Sequence, residues 1–128
     1  MFSFKVFDYC SGFGSKTWLN FQQKRNLALV ANLNQLCQEE LNRIQIRLML
    51  ISASDDRHDK LLRVLRCLYM KFNQAQALAL KGDLLSSKNL LESAYLPFKT
   101  LCNCIAQEFP EFNGYKLTLE QFADLSTV

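Results

Sequence analysis

The chain has few of the residues that interrupt secondary structure, with only 4 glycines and 2 prolines in 128 residues. A disordered segment or a turn-rich β-sandwich needs many more polar or turn-forming residues than this. Long apolar runs are also missing, because Lys, Arg, Asn and Gln interrupt every stretch before it reaches the ~20 residues of a membrane-spanning helix. We therefore expect one globular domain over residues 1–128, with no segment in the membrane.

The chain contains a single histidine and an odd number of cysteines, 5 in all. Three of the cysteines fall within apolar helical pattern, where a free thiol behaves as a small hydrophobic residue. Lys5 and Asp8 interrupt the apolar stretch that a secretory signal would need. These features predict a cytoplasmic protein with reduced cysteines. Cys67, next to the Leu65 and Leu68 positions of an apolar seam, is expected to be buried.

Periodic apolar residues predict a long first helix that begins after Ser15, a plausible N-cap, and ends near residue 52. One apolar residue recurs at each seventh position: Val30, Cys37, Ile44 and Ile51. If unbroken, this helix would span ~55 Å at ~1.5 Å per residue. Because few globular domains need such a length, we expect either a break near Lys24 or a role in oligomerisation.

Two further helices follow. The second is predicted from Ser54 to Lys81, where Gly82 ends it. Its apolar positions are spaced alternately by four and three residues, which is typical of a seam that faces a partner helix: Leu61, Leu65, Leu68, Phe72, Ala75 and Ala79. The third is predicted from Asp83 or Ser86 to Phe109, and Pro97 is expected to bend or divide it.

The two ends of the chain complete an all-α prediction, a compact three- or four-helix bundle over residues 15–109. Residues 1–14 are predicted to form an aromatic arm that Gly12 and Gly14 separate from the first helix. Residues 110–128 are predicted to form a turn and a short C-terminal helix. We expect that helix to have an N-terminal capping box and a hydrophobic staple. The cap and box are Thr118 and Gln121, and the staple is Leu117 and Phe122.

The polar residues around His58 are the best candidates for catalysis, since His58 could pair with Asp55 or Asp59. Acidic residues are also typical of the first turn of a helix, where they offset the partial charge of its free N–H groups. We favour this structural interpretation. Cys102 and Cys104 point ~200° apart around a helix and cannot readily chelate one metal ion. The sequence therefore predicts no enzymatic activity, no cofactor and no metal.

Residues 43–71 carry an excess of positive charge. If the first two helices turn back on each other, Arg43 and Arg47 come level with Arg63 and Arg66. Such a basic face could follow the phosphates of a nucleic acid, and its affinity would fall steeply with salt. Nucleic-acid binding through these four arginines is the alternative hypothesis for function.

The first helix carries more apolar residues than one stripe can hold, because Leu29, Leu36 and Leu50 lie beside the stripe that contains Ile44. A small bundle has few neighbours to cover a second stripe, and exposed apolar surface marks sites of protein association. Our leading hypothesis is an interaction or regulatory module that binds a protein partner through these four residues, as a homodimer formed by the first helix.

Overall fold

The computed structural model describes residues 9–51 and 54–128, with side chains from residue 20 onward. The helices are α1 (Tyr9–Leu48), α2 (Asp56–Leu80), α3 (Leu84–Glu108), α4 (Tyr115–Gln121) and a final 3-10 helix, η1 (Phe122–Thr127). Within the described ranges no β-strand occurs. The predicted all-α fold, with a long first helix and a short C-terminal helix, is confirmed.

Helix α1 is one unbroken helix of 40 residues, whereas α2 and α3 have 25 residues each. It begins at Tyr9 and passes through Gly12, Gly14 and Lys24, so the predicted start after Ser15 and the predicted breaks are wrong. A glycine within a helix costs only about 1 kcal/mol relative to alanine, which does not by itself end the helix. The remaining part of the predicted aromatic arm, residues 1–8, lies outside the described residues.

The N-terminal turns of α1 extend past the bundle. The turn between α2 and α3, at Gly82, borders one cavity together with Asn20 and Leu27 of α1. Residues 9–19 of α1 therefore lie beyond the level of that turn, and the first buried hydrophobic side chain described in the helix is that of Val30.

Helices α2 and α3 form an antiparallel hairpin, and local interactions fix both of its starts. The Asp55 side chain accepts a hydrogen bond from the backbone N–H of Arg57 at the start of α2, and Asp83 accepts one from Ser86 at the start of α3. Gly82 adopts φ +90°, a backbone conformation that residues with a Cβ rarely adopt, and so permits the tight turn. These boundaries lie close to the predicted ones.

The core lies where α1 packs against this hairpin. The predicted α2 seam is buried apart from Leu61, which is half-buried, and α3 contributes a seam that is buried throughout. The α3 seam consists of Leu91, Ala94, Phe98, Leu101 and Ile105. Phe72 and Phe98 meet edge to face, with 5.8 Å between ring centroids. Pro97 removes one N–H group from α3 but does not divide it, because core residues on both sides hold the helix in place.

The C-terminal segment packs along α1 and α3. Helix α4 begins at Tyr115, not at Thr118, which is buried inside the helix. The Tyr115 ring stacks on Phe112 at 5.3 Å, and its hydroxyl donates a hydrogen bond of 2.9 Å to Asn103 Oδ1. These tertiary contacts fix the helix start, so the predicted capping box is wrong. Leu117 is exposed, so the predicted staple with Phe122 is wrong as well.

The described cysteines divide into buried and accessible thiols. Cys37 and Cys102 are buried, and Cys67 is exposed. The predicted burial of Cys67 is therefore wrong, because adjacent positions on a helix point ~100° apart and Cys67 turns away from the seam that contains Leu68. Burial raises the pKa of the Cys37 and Cys102 thiols, which reduces the fraction of reactive thiolate further.

Replacing Phe98 with alanine tests the core. Phe98 is completely buried and contacts both Phe72 and Phe122. We expect Phe98→Ala to lower the free energy of unfolding by about 3–5 kcal/mol, measured by urea denaturation followed by circular dichroism. The matched control is Leu96→Ala, two residues away on the exposed side of α3, which should change it by less than about 0.5 kcal/mol. A larger effect of Leu96→Ala than of Phe98→Ala would show that α3 faces the other way.

Thiol accessibility tests the placement of the cysteines. A short pulse of iodoacetamide on the folded protein should modify Cys67 and leave Cys37 and Cys102 unmodified, because the latter two are buried with raised pKa values. Peptide mass spectrometry identifies the modified residues, and the same pulse in urea should modify all three. Equally fast labelling of Cys37 and Cys67 in the native state would contradict the described core.

Candidate interaction surface

The four residues predicted as a protein interface do not lie on one surface. Ile44 is completely buried in the core, Leu29 and Leu36 are half-buried, and only Leu50 is largely exposed. Ile44 belongs to the stripe of α1 that packs against the chain's own helices. In the folded chain, its side chain is covered.

The exposed Leu50 belongs to a different apolar cluster, at the C-terminal end of α1. We call Ile46, Met49 and Leu50 the end patch; their side chains are 61%, 78% and 71% exposed. The three positions have the spacing i, i+3 and i+4, which places them on one face of a helix. Hydrogen bonds from Met49 N to Gln45 O, of 3.3 Å, and from Leu50 N to Arg47 O, of 2.9 Å, continue the helical path past Leu48.

The end patch continues along the outer side of α1. Residues seven apart on an α-helix differ in direction by only ~20°, so a series with this spacing forms one slowly winding stripe, which turns by ~80° over four steps. One such series is exposed throughout: Phe21, Ala28, Gln35, Asn42 and Met49. We call this series, together with the end patch, the outer face. Both of its ends are apolar: Phe21, which is 63% exposed, lies at one end and the end patch lies at the other. The residues between them are small or polar.

The arginines predicted to contact nucleic acid fall into two pairs. On α1, Arg43 forms an ion pair with Glu40, while the Arg47 guanidinium lies 4.9 Å from the centre of the Phe112 ring. Both side chains therefore face α4 and the loop before it. Arg63 and Arg66 are exposed on α2.

These two pairs do not form one continuous face. Helix α1 meets α2 through other residues, because the Tyr69 hydroxyl of α2 donates to Asn42 Oδ1 and lies 3.3 Å from Gln45 Oε1. Arg47 follows Gln45 by two positions and so points ~200° away from it around the helix. The basic residues come level along the helix axes, but the first pair lies on the side of α1 that is turned away from α2.

The predicted catalytic candidates have structural partners. The Asp55 carboxylate accepts hydrogen bonds from the side chain and the backbone of Arg57, which lower the pKa of Asp55 to about 2. Arg57 also forms an ion pair of 2.6 Å with Glu108 of α3. The nearest approach of His58 to Asp59 is 3.7 Å, from Nδ1 to Oδ1, which is too long for a hydrogen bond. The cluster thus caps α2 and ties it to the end of α3.

Two kinds of site are not found among the described residues, a metal-binding cluster and a membrane-spanning helix. No group of three or more described His, Cys, Asp and Glu side chains is placed to hold a metal ion. Nor is any described helix both long enough and apolar enough to cross a bilayer.

No protein-family model matches the sequence, and neither a curated protein nor a solved structure shows significant similarity to it.

Proposed function

We propose that the protein is a non-enzymatic interaction module that binds a second copy of itself through the outer face of α1. The observation that carries this proposal is the end patch. Burying one Ile, Leu or Met side chain stabilises an assembly by about 1.5–3 kcal/mol, so three large side chains left in water on one helix face are a substantial driving force for association.

The arrangement of the outer face supports a second copy as the partner. Gln35 lies midway between Phe21 and Met49, fourteen residues from each. In a dimer with a two-fold axis at Gln35, two α1 helices run antiparallel, and Phe21 of each copy meets Met49 of the other. Both apolar ends of the outer face are then covered by one symmetric contact. Exposed Ala28 near the middle keeps the helices close together.

The length of α1 supports the same arrangement. Contact from Phe21 to Met49 requires ~42 Å of helix at ~1.5 Å per residue. Helix α1 is continuous from Phe21 to Leu48, and the hydrogen bond from Met49 N to Gln45 O continues its path to Met49. The 25 residues of α2 or α3 span only ~38 Å and would not reach that far. A helix that is longer than its own bundle requires is well suited to association along its side.

Nucleic-acid binding by the four arginines is not part of the proposal. Arg43 pairs with Glu40, and Arg47 lies on Phe112 with Glu111 4.0 Å away. Two of the four charges thus have partners within the chain, and binding phosphates would require them to leave those partners.

A charge placed in the end patch tests the dimer. We expect the purified chain to have the mass of a dimer in light scattering, at low and high salt alike, and Met49→Asp to convert it to a monomer because Met49 is buried only in the dimer. Circular dichroism should show unchanged helix content. The control is Leu96→Asp, which places the same charge at a similarly exposed apolar site on α3 and should leave the dimer intact. A wild-type chain that is monomeric at every concentration would refute the proposal.

Cross-linking at the proposed axis tests the antiparallel geometry. In Gln35→Cys, the new thiol would lie next to the same thiol of the second copy, so mild oxidation should produce a covalent dimer. The native thiols other than the buried Cys37 and Cys102 are first removed with Cys10→Ser, Cys67→Ser and Cys104→Ser. Lys99→Cys, an exposed position on α3, should remain uncrosslinked in the same background. A dimer that crosslinks equally at both positions would exclude the two-fold axis at Gln35. If nucleic acid copurifies and high salt removes it, the arginine hypothesis gains support.

A further inference from the structure

A groove of about 610 Å³ lies between α3 and the C-terminal segment, and no residue of α1 lines it. We call it the α3 groove. Tyr95 and Phe122 line it with their rings edge to face, 5.0 Å apart between centroids, and Leu119 and Leu125 supply further apolar walls. Because the outer face involves none of these residues, no function assigned above uses the groove.

The α3 groove lies in the seam between two antiparallel helical segments. The Tyr115 hydroxyl donates to Asn103 near the end of α3, and Lys88 near the start of α3 donates to the backbone oxygen of Val128. The C-terminal segment therefore runs back along α3. A helix that lies along such a seam places side chains three and four positions apart into it, which is a common mode of peptide recognition.

The residues that line the α3 groove carry negative charge only. Glu92 of α3 and Glu120 of α4 both line it and are exposed, so a partner can reach them. Neither carboxylate forms an ion pair with any described residue. Lys99 and Lys116 lie towards the Tyr115 end of the seam and do not line the groove. Since the chain has a formal net charge of +3, this negative site differs from the chain as a whole.

An exposed leucine adjoins the α3 groove. Leu96 is 67% exposed and follows Glu92 by four positions, so the two side chains lie on the same face of α3. On the other side of the groove Ala123 is exposed, and its small side chain leaves the apolar walls open to a partner. A large apolar side chain in water beside an apolar groove favours association.

We propose that the α3 groove binds an amphipathic helix of another protein, with large apolar side chains on one face and Lys or Arg beside them. The apolar side chains enter the groove between Tyr95 and Leu119, and the basic side chains pair with Glu92 and Glu120. The same carboxylates repel phosphate groups, which disfavours nucleic acids and anionic membranes at this site. Because α1 contributes nothing to the groove, this binding is independent of the dimer.

Three synthetic peptides test this recognition. The first is a helical peptide with leucines at positions i, i+4 and i+7 and lysines on either side of that stripe. The second has glutamate in place of every lysine, and the third has the composition of the first with its leucines distributed around the helix. In fluorescence anisotropy titrations with the full chain, we expect the first to bind and the other two to bind at least tenfold more weakly.

Salt gives a second readout with the same peptides. Raising the salt concentration should weaken binding of the lysine peptide, because salt screens its contacts with exposed carboxylates. The proposal is overturned if the lysine peptide does not bind, or if the glutamate peptide binds as well as the lysine peptide does.

Charge reversal assigns the contacts to residues. Glu92→Lys and Glu120→Lys should each weaken binding of the lysine peptide at least fivefold, and the double variant should prefer the glutamate peptide. The control is Asp59→Lys, which reverses an exposed charge on α2 and should change the affinity less than twofold. A double variant that still prefers the lysine peptide would overturn the role of the two carboxylates.

Filling the groove separates apolar contact from charge. Ala123→Trp places a large side chain in the groove and leaves both carboxylates unchanged, so it should weaken binding of the lysine peptide at least tenfold. Ala77→Trp, at an exposed alanine of α2, should have no effect. An unchanged affinity in Ala123→Trp would show that the peptide binds elsewhere and would overturn the proposal. All variants should keep the light-scattering mass of the wild-type chain, so that a failure here is distinct from a failure of the dimer.

Discussion

The packing of one stripe of α1 against the α2–α3 hairpin determines the rest of the structure. Residues from Val30 to Leu48 on this stripe are buried against the hairpin, which is itself closed around Phe72 and Phe98. Once that stripe faces inward, the helix geometry fixes what the other sides of α1 can do. One side meets α4 and the loop before it, and the other meets α2, where the Tyr69 hydroxyl bonds Asn42 at the edge of the outer face. The remaining side is the outer face.

The helical hairpin could be predicted from the sequence because the signals for it are local. The alternating spacing of the α2 seam, the acidic caps and Gly82 act within a few residues of one another, so they locate α2 and α3 without knowledge of the fold. The errors occur where distant residues decide. Helix α4 starts at Tyr115 because that ring packs on Phe112 and bonds Asn103 of α3, and the local capping pattern at Thr118 cannot compete with these contacts.

The candidate surface could be predicted only in part. Periodicity shows that α1 carries more than one apolar stripe, and it therefore suggests an exposed one. It does not say which stripe the hairpin covers. Ile44 and Leu50 both fit an apolar face, yet the first is buried and the second is exposed. Ile46, Met49 and Leu50 follow the spacing i, i+3 and i+4, so the sequence alone places them on one face of the helix. Whether that face is exposed depends on the rotation of α1 against α2.

Buried polar side chains determine how the helices of this fold meet. Asn34 donates a hydrogen bond of 2.7 Å to the backbone oxygen of Phe72, which joins α1 to α2. Ser87 donates one of 2.6 Å to the backbone oxygen of Ala75, which joins α3 to α2. Each of these bonds satisfies a buried group and fixes how two helices meet. Glu40 joins no other helix in this way, since its one described partner, Arg43, lies on α1 itself. The hydrogen bonds of Asn34 and Ser87, and no buried charge, therefore fix how the helices meet.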